Sequence, residues 1–214
     1  MKSQFIFNLG LPRTGTTSLH VAMLLLGVPA AHRPMGLSKI FFENKIEKLL
    51  DLPFLAYSDL PIPNYYQEIH TFFPEAKFIM TVRNVESWLT SIENFYSTRP
   101  PAANGISGRD LLRIATFGMT KFHAGRFERI YRMHSESVRD YFINSKANYL
   151  ELNEVAFNDW APICNFLEVN MPDVAYPKIS NPNIGKYSAV DKKSVHDAKS
   201  QLISIYNKFG DYNL

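Results

Sequence analysis

Phe5-Ile6-Phe7-Asn8-Leu9-Gly10-Leu11-Pro12-Arg13-Thr14-Gly15-Thr16-Thr17-Ser18-Leu19 is the stretch that decides the fold. Residues 5–9 form a short, nearly continuous apolar run that stops at Gly10 and Pro12, as expected of a strand buried on both faces of a parallel sheet. Leu19, Ala22, Met23 and Leu26 then recur at helical spacing, and Gly27 supplies a C-cap. The order is therefore strand, glycine loop, helix. In that setting the glycines let backbone N–H groups and the positive end of the helix dipole face an anion. The hydroxyls of Thr14, Thr16, Thr17 and Ser18 add donors, and Arg13 is the only cation in the loop. The plainer reading is a Gly-Pro turn with Thr16 or Thr17 as N-cap.

Working outward, the unit recurs in weaker form. Phe54-Leu55-Ala56-Tyr57 reads as a second strand ending at Asp59, and Lys77-Phe78-Ile79-Met80-Thr81-Val82 as a third ending at Arg83. Asn148-Tyr149-Leu150-Glu151-Leu152 reads as a fourth, with helical segments near 38–51, 64–73 and 84–96 and a helical stretch over roughly 108–143. Strands alternating with helices imply an α/β fold with a parallel sheet, whose ligands sit at the carboxyl ends of the strands.

The bulk properties agree. With 214 residues, 46% hydrophobic and 20% charged, the chain reads as one soluble globular domain over 1–214, without repeats or low-complexity tracts. A net charge of +3 without a dense Lys/Arg block fits a small anionic ligand rather than nucleic acid. The single Cys164 forms no intrachain disulfide, and the apolar start is too short for a signal peptide or a membrane span. The expectation is a cytoplasmic protein without membrane contact.

A nucleotide triphosphatase loop needs G-x-x-x-x-G-K-[ST], with Lys on the β/γ-phosphates and a hydroxyl on Mg²⁺. Here Thr16 stands at the Lys position, and no apolar strand ends in a metal-holding Asp except Asp59. A kinase or triphosphatase, or a non-catalytic nucleotide-binding protein, stays as the alternative.

The run Gly10 to Leu19 resembles the 5′-phosphosulfate loop of sulfotransferases that use 3′-phosphoadenosine 5′-phosphosulfate (PAPS). Arg83-Asn84-Val85-Glu86-Ser87-Trp88-Leu89-Thr90-Ser91 resembles the family's second anchor. Tyr57 to Pro61, Phe73 to Lys77, and Trp160 to Leu167 with Tyr176-Pro177 and Asn181 resemble a bacterial and eukaryotic subgroup. The resemblance implies a three-layer P-loop-type fold and transfer of a sulfuryl group from PAPS to a hydroxyl or amine of a small-molecule or glycan acceptor, without a metal. It places Pro12, Arg13, Thr14, Gly15, Thr16 and Thr17 on the 5′ end of the nucleotide, and Arg83 with Ser91 on its 3′-phosphate. Asn84 would cap the helix that carries Ser87 and Ser91 on one face.

A base must take the acceptor proton. Asp59 is the first candidate, since it ends a strand beside the loop, although an Asx-turn ahead of Pro61 and Pro63 would explain it equally. His32, in a Pro-flanked loop, and Glu43, in an amphipathic run, are the reserves. Lys186, in the loop Asn181-Pro182-Asn183-Ile184-Gly185-Lys186-Tyr187-Ser188, is a candidate to close the nucleotide site, with a solvated turn as the other reading. Phe41, Phe42, Tyr65, Tyr66, Phe95 and Tyr96 are candidates for an acceptor pocket or for plain core.

Overall fold

The structure, a computed structural model, describes residues 4–153 and 159–179. Five strands, β1 (Ile6–Asn8), β2 (Ala30–His32), β3 (Ala56–Ser58), β4 (Lys77–Thr81) and β5 (Asn148–Leu152), form one sheet in the order β2-β3-β1-β4-β5. Every neighbouring pair is parallel. The helices are α1 (Thr16–Leu25), α2 (Ser38–Phe42), α3 (Tyr66–Phe72), α4 (Val85–Ser97), α5 (Gly108–Phe117), α6 (Ala124–Ile143) and α7 (Ala161–Leu167).

Because side chains alternate across a strand, the sheet sorts its residues into two cores. Phe7, Tyr57, Phe78 and Met80 pack on one face with Phe41, Ile69, Val138 and Phe142 of α2, α3 and α6. Ile6, Ala56 and Ile79 pack on the other with Leu19, Ala22 and Met23 of α1 and with Ile163 and Cys164 of α7. The expected α/β architecture, a parallel sheet with helices on both sides, is what the chain adopts.

Three details differ from the sequence reading. The residues around His32 are not loop but the edge strand β2, so Asn148–Leu152 is the fifth strand. Four residues between Pro29 and Pro34, two of them alanine, carry almost no strand signal, and an edge position tolerates the flanking prolines. The stretch 38–51 divides into α2 and a 3₁₀ turn, Ile46–Asp51. The stretch 108–143 is two helices, broken at Gly118, which adopts φ 73° and ends α5, while the His123 imidazole accepts the Arg126 N–H to start α6.

A third cluster positions the site. Trp88, Ile92 and Tyr96 of α4 pack with Phe117, Phe127 and Tyr131 of α5 and α6, and Leu11 of the glycine loop is buried among them. The Trp88 indole N–H also donates to the Pro12 carbonyl at 2.8 Å. The loop after β1 is thereby bolted to the helix after β4.

Candidate functional site

The loop is built for close approach. A Cβ on Gly10 would overlap the Thr81 hydroxyl and lie 2.6 Å from Thr14 Oγ1, so only glycine lets β1 turn here against β4. Gly15, at φ 105°, is the N-cap of α1, and no side chain caps that helix. Its first-turn N–H groups are thus available to an anion. The plainer reading, a turn with Thr16 or Thr17 as N-cap, is not what the chain adopts.

The loop hydroxyls divide between structure and site. Thr14 is buried and its hydroxyl is spent internally, donating to the Leu11 carbonyl at 2.7 Å and meeting Thr81 Oγ1 at 2.7 Å. Ser18 accepts the Ile179 N–H at 3.0 Å. Thr14 and Ser18 are therefore scaffold hydroxyls rather than donors aimed outward. Thr16 and Thr17 turn towards β2 and β3. Thr16 Oγ1 lies 3.4 Å from Asp59 Oδ2 and 3.3 Å from His32 Nε2, and Thr17 Oγ1 lies 3.5 Å from the same nitrogen.

Two arginines meet one face of α4. Arg13 Nε donates to Ser91 Oγ at 3.0 Å, and Arg83 Nε donates to Ser87 Oγ at 2.9 Å. The resemblance gives Arg83 and Ser91 a shared phosphate; in the structure Ser91 bonds the loop arginine and Ser87 the strand-tip arginine, both on this same face. Residues 87 and 91 are one turn apart, about 6 Å along the axis at 1.5 Å per residue, so the two guanidinium groups line one surface. Tyr131 fixes the strand tip, its hydroxyl accepting the Arg83 N–H at 2.8 Å and donating to the Arg83 carbonyl at 2.6 Å. Asn84 caps α4 as expected, accepting from the N–H groups of Glu86 and Ser87 at 3.1 Å each.

Two more arginines, not singled out by sequence, complete the cluster. Arg33 follows β2 and Arg99 follows α4, and both stand over the Phe95 ring, 5.5 and 4.5 Å from its centroid, where Arg13 also stands at 5.8 Å. Burial, then the like charges of Arg83 and Arg99, lowers the pKa of Arg13, while Asp59 opposes them. A guanidinium stays charged regardless, so the half-buried Arg13 holds its charge among like-charged neighbours.

Asp59 and His32 form the remaining wall. Asp59 is buried, directly after β3, and Leu60 N donates to its Oδ1 at 2.7 Å. Burial raises its pKa, against the opposing pull of Arg33, the Leu60 N–H, Thr16 and Arg13. Burial, with Arg33 adding to it, lowers the His32 pKa to about 3. His32 Nε2 and Asp59 Oδ2 are 3.5 Å apart, and since the imidazole is neutral near pH 7 this is a polar contact rather than an ion pair. Arg13, Arg33 and Asp59 are three of the five non-glycine residues with positive φ among the described residues, at 74°, 56° and 69°. Such backbone conformations cost roughly 1–3 kcal/mol each and concentrate where a site demands them.

Glu43 is not brought to this site. It is exposed and paired with Lys45 at 2.7 Å and Lys39 at 3.6 Å, because the short α2 turns it outward. Of the candidate pocket aromatics, Phe41 and Tyr96 are core, Phe41 packs tilted against Tyr65 at 5.0 Å, Tyr96 lies under Arg113, and Phe95 meets Arg13, Arg33 and Arg99. Lys186 and its loop lie outside the described residues. Among the described residues no group of three or more His, Cys, Asp or Glu is placed to hold a metal ion, and no helix is long and apolar enough to cross a membrane.

Comparison with known proteins adds a decisive match: a family model described as a sulfotransferase domain covers residues 37–183, more than half of the chain. The chain belongs to the sulfotransferase domain family. That match includes Asp59, Arg83 and Ser91 and begins after the glycine loop, so the loop stands on its own geometry. Ava biosynthesis cluster protein M of Aspergillus versicolor is 26% identical over 211 residues, with 80% of this chain and 78% of that protein covered. The crystal structure of mouse sulfotransferase SULT7A1 complexed with PAP is similar at a TM-score of 0.46 and 17% identity. The similarity covers 81% of this chain, which spans 61% of the length of that one.

Proposed function

We propose that this sulfotransferase uses PAPS as donor and transfers its sulfuryl group to a hydroxyl or amine of an acceptor. One observation carries the reading: Arg13 on Ser91 and Arg83 on Ser87, two cationic, hydroxyl-rich grips one helical turn apart on α4. A nucleotide with phosphates at both its 5′ and 3′ positions presents two separated anions, which matches two grips better than one. PAPS supplies an activated sulfur, whose transfer frees the bisphosphate nucleotide.

The chain's own residues divide the work. The first-turn amides of α1, the close backbone at Gly10 and Arg13 face the 5′ end, where charge accumulates during transfer, and donors fixed in advance lower the barrier most. Arg83, its backbone clamped by Tyr131, faces the 3′-phosphate together with Ser87, and Ser91, held by Arg13 one turn on, stands between the two ends of the nucleotide. Asp59 takes the acceptor proton; burial makes it a stronger base than an ordinary aspartate, and neutral His32 beside it adds no competing charge. The reading assigns no part to a metal, so turnover in EDTA should equal turnover without it. Lys186 stays a candidate for closing the nucleotide site, and the chain is taken to work in the cytoplasm on a small-molecule or glycan acceptor.

The triphosphatase alternative has less support, since its lysine is replaced by Thr16, whose hydroxyl lies towards Asp59. Thermal shift separates the two by mass action. PAP, the desulfated nucleotide, should raise the melting temperature where ATP with Mg²⁺ does not. Stabilisation by ATP alone would overturn the proposal.

A further inference from the structure

The face of α4 that carries both grips does not end at them. Ser87, Ser91 and Phe95 follow one another at four-residue steps, about 6 Å apart, and Arg99 lies just past the helix end. The surface therefore reads in order: Arg83 with Ser87, Arg13 with Ser91, then Phe95 under Arg33 and Arg99. The two nucleotide grips use the first two positions. The third has two guanidinium groups of its own, at 5.5 and 4.5 Å from the ring centroid.

Those guanidinium groups are short of negative partners. Among the described residues, Arg33 makes no ion pair, and the Arg99 guanidinium donates to neighbouring Thr98 Oγ1 at 3.1 Å. Among the described residues, the charges that bear on Arg99 include those of Arg33, Arg109, Arg13 and Arg113, all positive. The Arg109 Nε is buried without a hydrogen-bond partner. Among the described residues, Asp59 acts on this group through Arg33 and Arg13, and the proposed reaction already employs it. Arg33 joins Asp59 to the third position, since the arginine that faces the proton-accepting carboxylate also stands on Phe95.

We infer that the acceptor is itself an anion, carrying a carboxylate or phosphate that Arg33 and Arg99 grip above Phe95 while its hydroxyl or amine reaches Asp59. The planar guanidinium fork matches both oxyanions and holds either through paired, charge-assisted hydrogen bonds. Phe95 gives both forks a flat seat, which reduces the ordering needed when the anion arrives. This inference rests on the sulfotransferase reading above, because it takes the first two positions as the donor's.

The test uses matched acceptors and separates donor from acceptor binding. Hydroxy acids, among them 4-hydroxybenzoate and lactate, are compared with their carboxamides, and phosphate monoesters of diols with the parent diols. Transfer from PAPS and binding to the PAP-saturated protein are both measured. Wild type should favour the charged member by at least about tenfold, the size of one lost charge-assisted contact. Preference for acids alone or for phosphates alone names the group. In Arg33→Gln and Arg99→Gln the ratio should fall below about threefold, while PAP affinity stays within about twofold of wild type. Equal handling of charged and neutral members across the panel would overturn the inference, as would glutamine variants that lose PAP affinity and keep the ratio. Wild type that fails to bind PAP defeats the underlying sulfotransferase reading; wild type that binds PAP and ignores acceptor charge defeats this inference alone.

Discussion

Arg83→Ala should separate the two ends of the nucleotide. The guanidinium is held by Ser87 at 2.9 Å and its backbone by the Tyr131 hydroxyl at 2.8 and 2.6 Å, so it meets a phosphate without rearrangement. A hydrogen bond to a charged group contributes about 1.5–3 kcal/mol, and a guanidinium presents such bonds to phosphate in pairs. Losing that contact should weaken PAP binding by roughly 3 kcal/mol, about a hundredfold. AMP lacks the 3′-phosphate, so its affinity should change by less than about twofold. Ser87→Ala removes the hydroxyl that aims Arg83 and meets the phosphate beside it, at least about 1 kcal/mol, and should cost PAP at least about fivefold. Isothermal titration of both nucleotides into wild type and variants, with circular dichroism to confirm folding, reads these ratios. Equal losses for PAP and AMP, or PAP affinity unchanged in Arg83→Ala, would refute the assignment of Arg83 to the 3′ end.

Asp59→Asn should lower kcat by at least about a hundredfold and leave PAP affinity unchanged. Since burial raises the Asp59 pKa above its unfolded value, the ionised carboxylate costs stability at neutral pH. The melting temperature of Asp59→Asn should therefore exceed wild type near pH 7, the difference closing as pH falls through the raised folded pKa and gone below about 4. His32 is shifted the other way: its pKa drops from 6.5 to about 3, so the unfolded chain binds the proton first and stability should fall as pH drops through that interval. His32→Gln should flatten that part of the melting curve, and an unchanged slope would remove His32 from its buried position. Gly10→Ala forces a methyl group onto the Thr81 hydroxyl; overpacking of about 1–3 kcal/mol should lower the melting temperature by several degrees.

The parts of this fold that sequence made readable are those with strong periodicity. The apolar runs at 5–9 and 77–82 and the helical spacing of Leu19, Ala22 and Met23 are buried on both sheet faces as their pattern demanded. β2 escaped because strand pattern needs length and branched residues, and Ala30-Ala31-His32 has neither. The helix break at Gly118 was signalled by a glycine and a following cap, but the apolar spacing on either side concealed it.

The site shows the same division. The places of Arg13, Asp59 and Arg83 just beyond strand ends were legible from the apolar runs before them, whereas Ser91 was singled out by the family resemblance alone. Their pairing was not legible, since spacing from Arg83 fits Ser87 and Ser91 alike, and only the approach of the loop to α4 gives Ser91 to Arg13. Arg33 and Arg99 lie 66 positions apart and meet over one ring, a contact that no local pattern announces. Glu43 looked eligible by its chemistry, yet two nearby lysines hold it on the exposed surface.

A crystal structure with PAP bound measures the central claim directly. The account predicts the 5′-phosphate against Gly15 to Thr17 and Arg13, and the 3′-phosphate on Arg83 with Ser87 and Ser91 on the same face of α4. PAP bound with only one phosphate on this surface, or with Arg13 and Arg83 turned to separate clefts, would contradict it.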